Sequence, residues 1–290
     1  MGVIKIRSYS KVNFTLDILN KRQDGYHNLD SVVQIISLAD NLEIKKLDEP
    51  IIKVTTDKFY VPNGNSNIAY KAAELFFKSM GINKGVEINI QKNVPIQAGL
   101  GGGSANAAAV LLALNDIFLT KLSKSKLATL AAEVGSDAPL FIYGGMLRMS
   151  GRGEILELMP DVEKLHLIII KPDFGVSTKL AYEAIDKNTK TSEGNTQTFI
   201  NALDAGDLLN IAKNISNDFD PIISSKHTEI KQIKWDLINN NALNALLSGS
   251  GSAVFGIFES KPDADIAFDS LRRKYNHIYK VKTIGRENIN

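Results

Sequence analysis

The sequence predicts an α+β protein of two domains, and three observations carry that expectation. Apolar residues with a two-residue period recur up to Ile90, the mark of half-buried strands. A glycine-rich turn, Pro95 to Asn106 (PIQAGLGGGSAN), then opens a run of Ala and Leu without Gly or Pro, which reads as a helix. From Leu167 onward the order strand, helices, strand, strand, helix, strand suits helices packed on one face of a second sheet. At 290 residues the chain is long for a single core, and the expected boundary divides 1–159 from 160–290.

The elements follow in order. Val3, Ile4 and Ile6 open a strand, and Lys11 to Leu19 alternates as another, with Lys11 and Asn13 side by side on its polar face. Asp24-Gly25 is a hairpin turn that leads into Tyr26 and His27. Leu29 to Leu38, Leu42 to Ile44 and Ile51 to Thr55 read as strands. Asn67 or Ser66 caps a helix from Ile68 to Met80 that stops at Gly81. Val86 to Ile90 is the strand before the glycine turn. Ser123 to Val134 is an amphipathic helix, and Ser136-Asp137-Ala138-Pro139 starts another, which sets Asp137 at a helix N-terminus. Met146 to Leu158 turns as a hairpin at Gly151-Arg152-Gly153. In the second half, helices are expected at Ser177–Asp186, Thr196–Leu203, Asp207–Ser216, Ser225–Asn239 and Asp263–Tyr275. Strands are expected at Leu167–Ile170, Leu243–Leu247, Ala253–Phe258 and Ile278–Ile284, and Lys187 to Asn195 reads as a polar, mobile connector.

Composition excludes several classes. A formal charge of +2 and the lack of a basic–aromatic patch give no footprint for nucleic acid. With no Cys there is no disulfide, thiol nucleophile or thiolate metal site. No apolar run is long enough to cross a bilayer, and charges interrupt the N-terminal segment, so a cytoplasmic chain without a membrane partner is expected. His166, His227 and His277 lack neighbours at ligand spacing and read as surface or packing residues. Trp235, on an amphipathic helix, reads as core.

The glycine turn carries the chemistry. A turn rich in glycine that feeds a helix start gathers unpaired N–H groups and the positive end of the helix dipole, which suits phosphate. No Lys follows these glycines, so the pattern G-x-x-x-x-G-K-[ST] is absent. A dinucleotide fingerprint would need glycine at Ser104 and an immediately preceding strand, whereas Lys92 to Pro95 intervene. Asp137 can be a helix cap and no more, and a lone strand Lys is more often solvated or an edge guard. As a pair brought to one loop, Asp137 would accept a hydroxyl proton and Lys11 would offset phosphoryl charge.

Pro95 followed by Gly99-Leu100-Gly101 and small residues resembles the phosphate loop of the GHMP kinases. Five blocks in order, SYSKVNFTLDI, DGYHNLDSVVQ, the glycine turn, VGSDAPLFIYGG and LSGSGSAVFGIF, resemble the 4-diphosphocytidyl-2-C-methyl-D-erythritol kinase branch over nearly the whole chain. The resemblance implies an N-terminal domain like ribosomal protein S5 domain 2 and a ferredoxin-like C-terminal domain. It implies transfer of the ATP γ-phosphate to the 2-hydroxyl of 4-diphosphocytidyl-2-C-methyl-D-erythritol, in the non-mevalonate route to isoprenoids. Another GHMP small-molecule kinase, of homoserine or phosphomevalonate type, stays open, as more remotely does a non-catalytic S5-like nucleic-acid binder. Lys11 and Asp137 are the expected catalytic pair. ATP is expected on Asn67, Pro95, Gly99, Leu100, Gly101, Gly102, Gly103, Ser104 and Ala105, with Asn67 at the adenine end. The substrate is expected on Lys11, Asn13, Tyr26, His27, Asp137, Thr178 and Tyr182, with Tyr26 and Tyr182 sandwiching the cytosine and His27 reading its edge. Mg²⁺ is expected with ATP, its protein ligands open, because Gly102-Gly103 stands where the mevalonate-kinase-like branch has Ser-Ser. The loop Ser248–Ser252 is expected to close over the diphosphate or shape the site. The glycine turn is expected to lie outside the cores, and the protein to act as a monomer or weak homodimer.

Overall fold

The computed structural model describes residues 2–161, 164–187 and 194–288. Part of the connector Lys187 to Asn195, residues 188–193, lies outside the described residues. The first half runs β1 (Val3–Asn13), β2 (Thr15–Lys21), β3 (His27–Leu47), β4 (Ile52–Thr56), α1 (Ile68–Met80), β5 (Gly85–Gln91), α2 (Gly102–Ile117), α3 (Lys124–Val134), α4 (Ala138–Tyr143), β6 (Met146–Gly151) and β7 (Ile155–Leu158). The second runs β8 (His166–Ile170), α5 (Thr178–Asp186), α6 (Thr196–Asp204), α7 (Leu208–Lys213), β9 (Ser216–Asn217), α8 (Phe219–Lys226), α9 (Thr228–Asn239), β10 (Asn244–Leu247), β11 (Val254–Phe258), α10 (Lys261–Leu271) and β12 (Ile278–Lys282).

The long β3 is the spine of an 8-stranded sheet. Its C-terminal part pairs with β1 and β5, and its N-terminal part with β2 and β6. Leu29 to Leu38 and Leu42 to Ile44 are therefore one strand, not two, because nothing between them removes a backbone donor. The expected strand Lys11 to Leu19 is instead the end of β1 and the start of β2, broken at Phe14. Both of its faces are buried from Lys11 to Ile18, since alternation reports two faces but not whether each is covered. Helix α2 is apolar nearly all round in its middle and is buried through most of Ala105 to Leu114, as such a segment must be. It packs against α1, α3 and α4 and lays its N-terminal end against β1, where Lys11 N–H donates to Leu100 O at 3.1 Å.

A 4-stranded antiparallel sheet, ordered β10-β11-β8-β12, forms the second layer, with α9 and α10 on it. The two halves of the chain touch through main chain, and β9 of the second half joins the first sheet. β2 pairs in parallel with β9 through Thr15 and Leu16, and Ile284 N–H donates to Ile35 O at 2.9 Å. Hydrophobic clusters accordingly draw on both halves: Val12, Phe14 and Ile36 pack with Leu167, Phe199 and Phe255.

Three further expectations are corrected. The helix expected over Ser225–Asn239 is two, α8 and α9, because His227 leaves the helical region at φ −129°. Trp235 is 62% exposed rather than core, since the apolar stripe of α9 is carried by Ile230, Ile233 and Leu237. The glycine turn is not outside the cores: Val94, Ala98 and Leu100 are buried in the second cluster. No helix among the described residues is long and apolar enough to cross a membrane.

Candidate active site

The turn from Lys92 to Gly101 is fastened at both ends. Asp40, wholly buried on β3, accepts from Asn93 N–H and Val94 N–H, each at 2.8 Å, and pairs with the Lys92 ammonium. At the far end Gly101, at φ +70°, caps α2, and Ala105 N–H closes the first turn onto Gly101 O at 2.9 Å. The first-turn N–H groups, at Gly102, Gly103 and Ser104, are left without intrahelical acceptors, and they carry the positive end of the helix dipole. Gly99, at φ +73°, is required by contact: a Cβ there would stand 1.9 Å from Ser248 O.

That contact comes from the second glycine-rich loop, Ser248–Ser252, between β10 and β11. Ser248 Oγ donates to Gly99 O at 3.2 Å, and Ala253 N–H donates to Ala98 O at 3.2 Å. Asn217 Nδ2 holds the loop through Leu247 O and Gly249 O, both at 2.8 Å. The loop thus braces the glycine turn, which is a site-shaping place.

Lys11 and Asn13 meet beneath these loops. Lys11 Nζ donates to Asn13 Oδ1 at 2.6 Å, and Asn13 Nδ2 donates to Ser31 Oγ at 2.9 Å. Ser31 in turn donates to Thr15 O at 2.5 Å. All of these side chains are buried. Burial strips water from the Lys11 ammonium and holds its pKa below the ordinary 10.5, against the pull of the Asp137 charge. Asp137 sits at the N-terminal end of α4, yet its side chain makes no capping bond, so the carboxylate is not committed to its own helix. No ion pair joins it directly to Lys11 among the described residues, and the two interact through their fields. Burial, with Asp137 nearby, pushes the Tyr182 phenol up to about 12.

One cavity of about 550 Å³ gathers these groups. Lys11, Asn13, Asn67, Pro95, Gly99, Leu100, Gly101, Gly102, Gly103, Ser104, Asp137, Thr178 and Tyr182 all line it; of the expected site residues, Ala105, Tyr26 and His27 do not. Ala105 is buried behind the loop. Tyr26 is 59% exposed, with the Arg152 guanidinium 5.1 Å from its ring centroid. His27 is buried behind Tyr182, stacked on it at 5.4 Å, with Nε2 2.9 Å from Asp186 Oδ1. Thr178 Oγ1 lies 3.0 Å from Ser250 Oγ and so ties α5 to the second loop. Asn67 uses both ends of its amide internally: Oδ1 accepts from Ala69 N–H at 2.9 Å and Nδ2 donates to Pro62 O at 2.7 Å.

Sequence reasoning missed Ser31, Lys92, Asp40, Asn217 and Asn106. The partners of the first four lie far away in the chain, 52 residues in the case of Lys92 and Asp40, and no spacing rule reports such pairs. A cluster of three His, Cys, Asp or Glu that could hold a metal is absent among the described residues. Among the described residues, Asp137 is the one carboxylate on the cavity wall. That donor set fits a Mg²⁺ carried mainly by phosphates and water, with at most one or two protein oxygens.

Residues 67–145 match the GHMP kinases N terminal domain, and residues 199–277 match the GHMP kinases C terminal domain. Fold and cavity together therefore define a GHMP kinase, a small-molecule kinase. A 4-diphosphocytidyl-2-C-methyl-D-erythritol kinase of Clostridium perfringens is 39% identical over 288 residues, 99% of this chain and 100% of that one. One from Caldicellulosiruptor saccharolyticus is 41% identical over 282 residues, 97% of each chain. The chain belongs to the family of these 4-diphosphocytidyl-2-C-methyl-D-erythritol kinases. A solved 4-(cytidine 5'-diphospho)-2C-methyl-D-erythritol kinase matches with TM-score 0.82 and 29% identity, over 97% of this chain and 100% of that one. A homoserine kinase from Cytophaga hutchinsonii matches with TM-score 0.79 over 99% of this chain and 96% of that one. At 19% identity it shares the fold alone.

Proposed function

We propose that the chain phosphorylates the 2-hydroxyl of 4-diphosphocytidyl-2-C-methyl-D-erythritol with ATP, giving the 2-phosphate and ADP, in the non-mevalonate route to isoprenoid precursors. The observation that carries this is the meeting of a helix-terminal phosphate cradle, a buried lysine and an uncapped aspartate around one cavity. The first-turn N–H groups of α2 take the phosphates, with Gly99, Leu100, Gly101, Gly102, Gly103, Ser104 and Pro95 shaping the turn and Ala105 backing it. The acceptor hydroxyl approaches Asp137, whose carboxylate takes its proton as the γ-phosphoryl transfers. Lys11, fixed by Asn13 and Ser31, offsets charge on the transferring group. Mg²⁺ bound with ATP would neutralise charge on the phosphates, and Ser104, among the oxygen-bearing residues of the cavity wall at the start of α2, would help to hold it.

The cytidine end is taken to lie against Tyr182, with Thr178 at its edge. His27 steadies the Tyr182 ring, and Tyr26 reaches the base only by leaving Arg152. On this reading residues 1–159 form the ATP-binding domain and 160–290 the substrate domain. The protein works in the cytoplasm as a monomer or weak homodimer, without nucleic acid or membrane. The test is ADP release with a panel of three acceptors: the diphosphocytidyl substrate, homoserine and phosphomevalonate. Turnover confined to the first supports the proposal, and preference for either of the others overturns it.

A further inference from the structure

We propose that Asp220 is a positioning residue for the transfer: its carboxylate holds the start of the Ser248–Ser252 loop, and the loop closes over Lys11. This rests on reading Lys11 as the group that offsets phosphoryl charge. Asp220 lies in the first turn of α8, 4% exposed, and does not line the cavity that holds Lys11. Ser224 Oγ donates to its Oδ1 at 2.7 Å, and Lys234 Nζ donates to both oxygens at 2.9 Å. Leu247 N–H donates to Oδ2 at 3.0 Å. A buried carboxylate needs donors around it, and here they come from α8, α9 and β10.

The Leu247 contact has a topological reason. β10 is an edge strand of the second sheet, so the outward main-chain groups at its end have no strand to pair with. Asn217 Nδ2 donates to the Leu247 carbonyl, and Asp220 accepts its N–H. The next residue opens the loop. Ser248 N–H donates to Ala253 O at 2.9 Å, and Ser248 Oγ donates to Gly99 O at 3.2 Å. Gly249, at φ +53°, then passes close to Lys11: a Cβ on it would stand 3.3 Å from Lys11 Nζ and 3.4 Å from Asn13 Oδ1.

The consequence is steric and electrostatic together. Lys11 is 5% exposed, and loss of water holds its pKa below 10.5, with Asp137 the charged group that opposes this. A loop let go at Leu247 readmits water beside the ammonium. Lys11 then wanders from the transferring phosphoryl, and its pKa rises toward the ordinary value. The phosphate turn keeps its own fastenings, Asp40 at one end and the start of α2 at the other, so ATP stays bound.

The test compares wild type with Asp220→Leu, Asp220→Asn and Lys234→Met. The readouts are kcat against pH, KM for ATP and acylation of Lys11 followed by mass spectrometry, with thermal unfolding to show that each variant is folded. Asp220→Leu leaves Leu247 N–H without an acceptor. Its kcat should fall about 10-fold or more, since a misplacement of about 1 Å can cost about 10²-fold, while KM for ATP holds. Its alkaline limit should move up toward 10.5. Lys11 should also acylate faster, because burial limits its reaction. Asp220→Asn keeps an acceptor oxygen and should retain most of the kcat and the wild-type limit. Lys234→Met removes the ion pair but not the acceptor, and should lose stability without moving the limit. Asp220→Ser, a smaller change, serves if the leucine variant folds poorly. Wild-type kcat in Asp220→Leu overturns the proposal. So does a lower kcat with the alkaline limit and Lys11 acylation unmoved, or a Lys234→Met protein with the same losses as Asp220→Leu. A wild type that leaves the diphosphocytidyl acceptor untouched defeats the assigned reaction instead. Lys11 acylation then decides on Asp220 alone: a faster rate in Asp220→Leu supports the anchor, and an unchanged rate overturns it.

Discussion

Replacing Gly101 with Ala should cost stability, whereas replacing Gly103 should not, and the contrast separates packing from ligand approach. Gly101 holds φ +70°, and forcing an L-residue there costs roughly 1–2 kcal/mol. Its new Cβ would lie 2.7 Å from Phe141 Cζ and 3.2 Å from Lys11 Cγ, in a packed region. Overpacking of that kind adds about 1–3 kcal/mol. The sum, about 2–5 kcal/mol, corresponds to a fall in Tm of about 3–8 °C for a chain of this size. Gly103 is exposed in the first turn of α2, and the nearest atom to its Cβ would be 3.7 Å away. Alanine there fits and gains about 0.5–1 kcal/mol of helix propensity. It stands on the phosphate cradle, where the added Cβ would crowd a phosphate brought close to the main chain, so ATP affinity should fall. Thermal unfolding and ATP calorimetry on both variants supply the check. A Gly101→Ala protein as stable as wild type would refute the packing argument. A Gly103→Ala protein with unchanged ATP affinity would move the phosphates elsewhere.

Two other expectations follow from the buried chain of hydrogen bonds. Ser31→Ala leaves Asn13 Nδ2 without its acceptor, at about 1–3 kcal/mol, and frees Lys11 to wander. Its kcat should drop while KM for ATP holds, and a wild-type kcat would show that the relay does not position Lys11. Lys11 is also expected to set an alkaline limit. Burial depresses its folded pKa below 10.5, so the ammonium is lost as pH rises through that folded value, and kcat should fall at a pH below 10.5. For stability the sign is opposite: the unfolded chain binds more protons between the two values, so this group stabilises the fold as pH rises there. A kcat profile that stays flat up to 10.5 would contradict the Lys11 role.

What was legible in the sequence is what is decided locally. Helix α1 runs from Ile68 to Met80 as its Asn67 cap and Gly81 stop require, because each signal acts within a turn of its own position. The hairpin of β6 and β7 follows from Gly151 and Gly153 for the same reason. The burial of Lys11 and Asn13 was not legible. Their spacing sets them side by side, but α2 and the Ser248–Ser252 loop, which cover them, arrive from far along the chain. The Asp137 reading profited from local logic in one respect, its place at a helix start, yet only coordinates reveal that it makes no cap.

Phosphoryl transfer by an Asp137→Asn protein tests the central claim most directly. Amide and carboxylate have the same shape, and the carboxylate makes no helix cap to lose, so the fold and ATP affinity should persist. With the diphosphocytidyl substrate and saturating ATP, kcat should fall about 10²–10⁴-fold, the usual worth of a positioned proton acceptor. A variant that binds ATP and turns over at the wild-type rate would contradict the account.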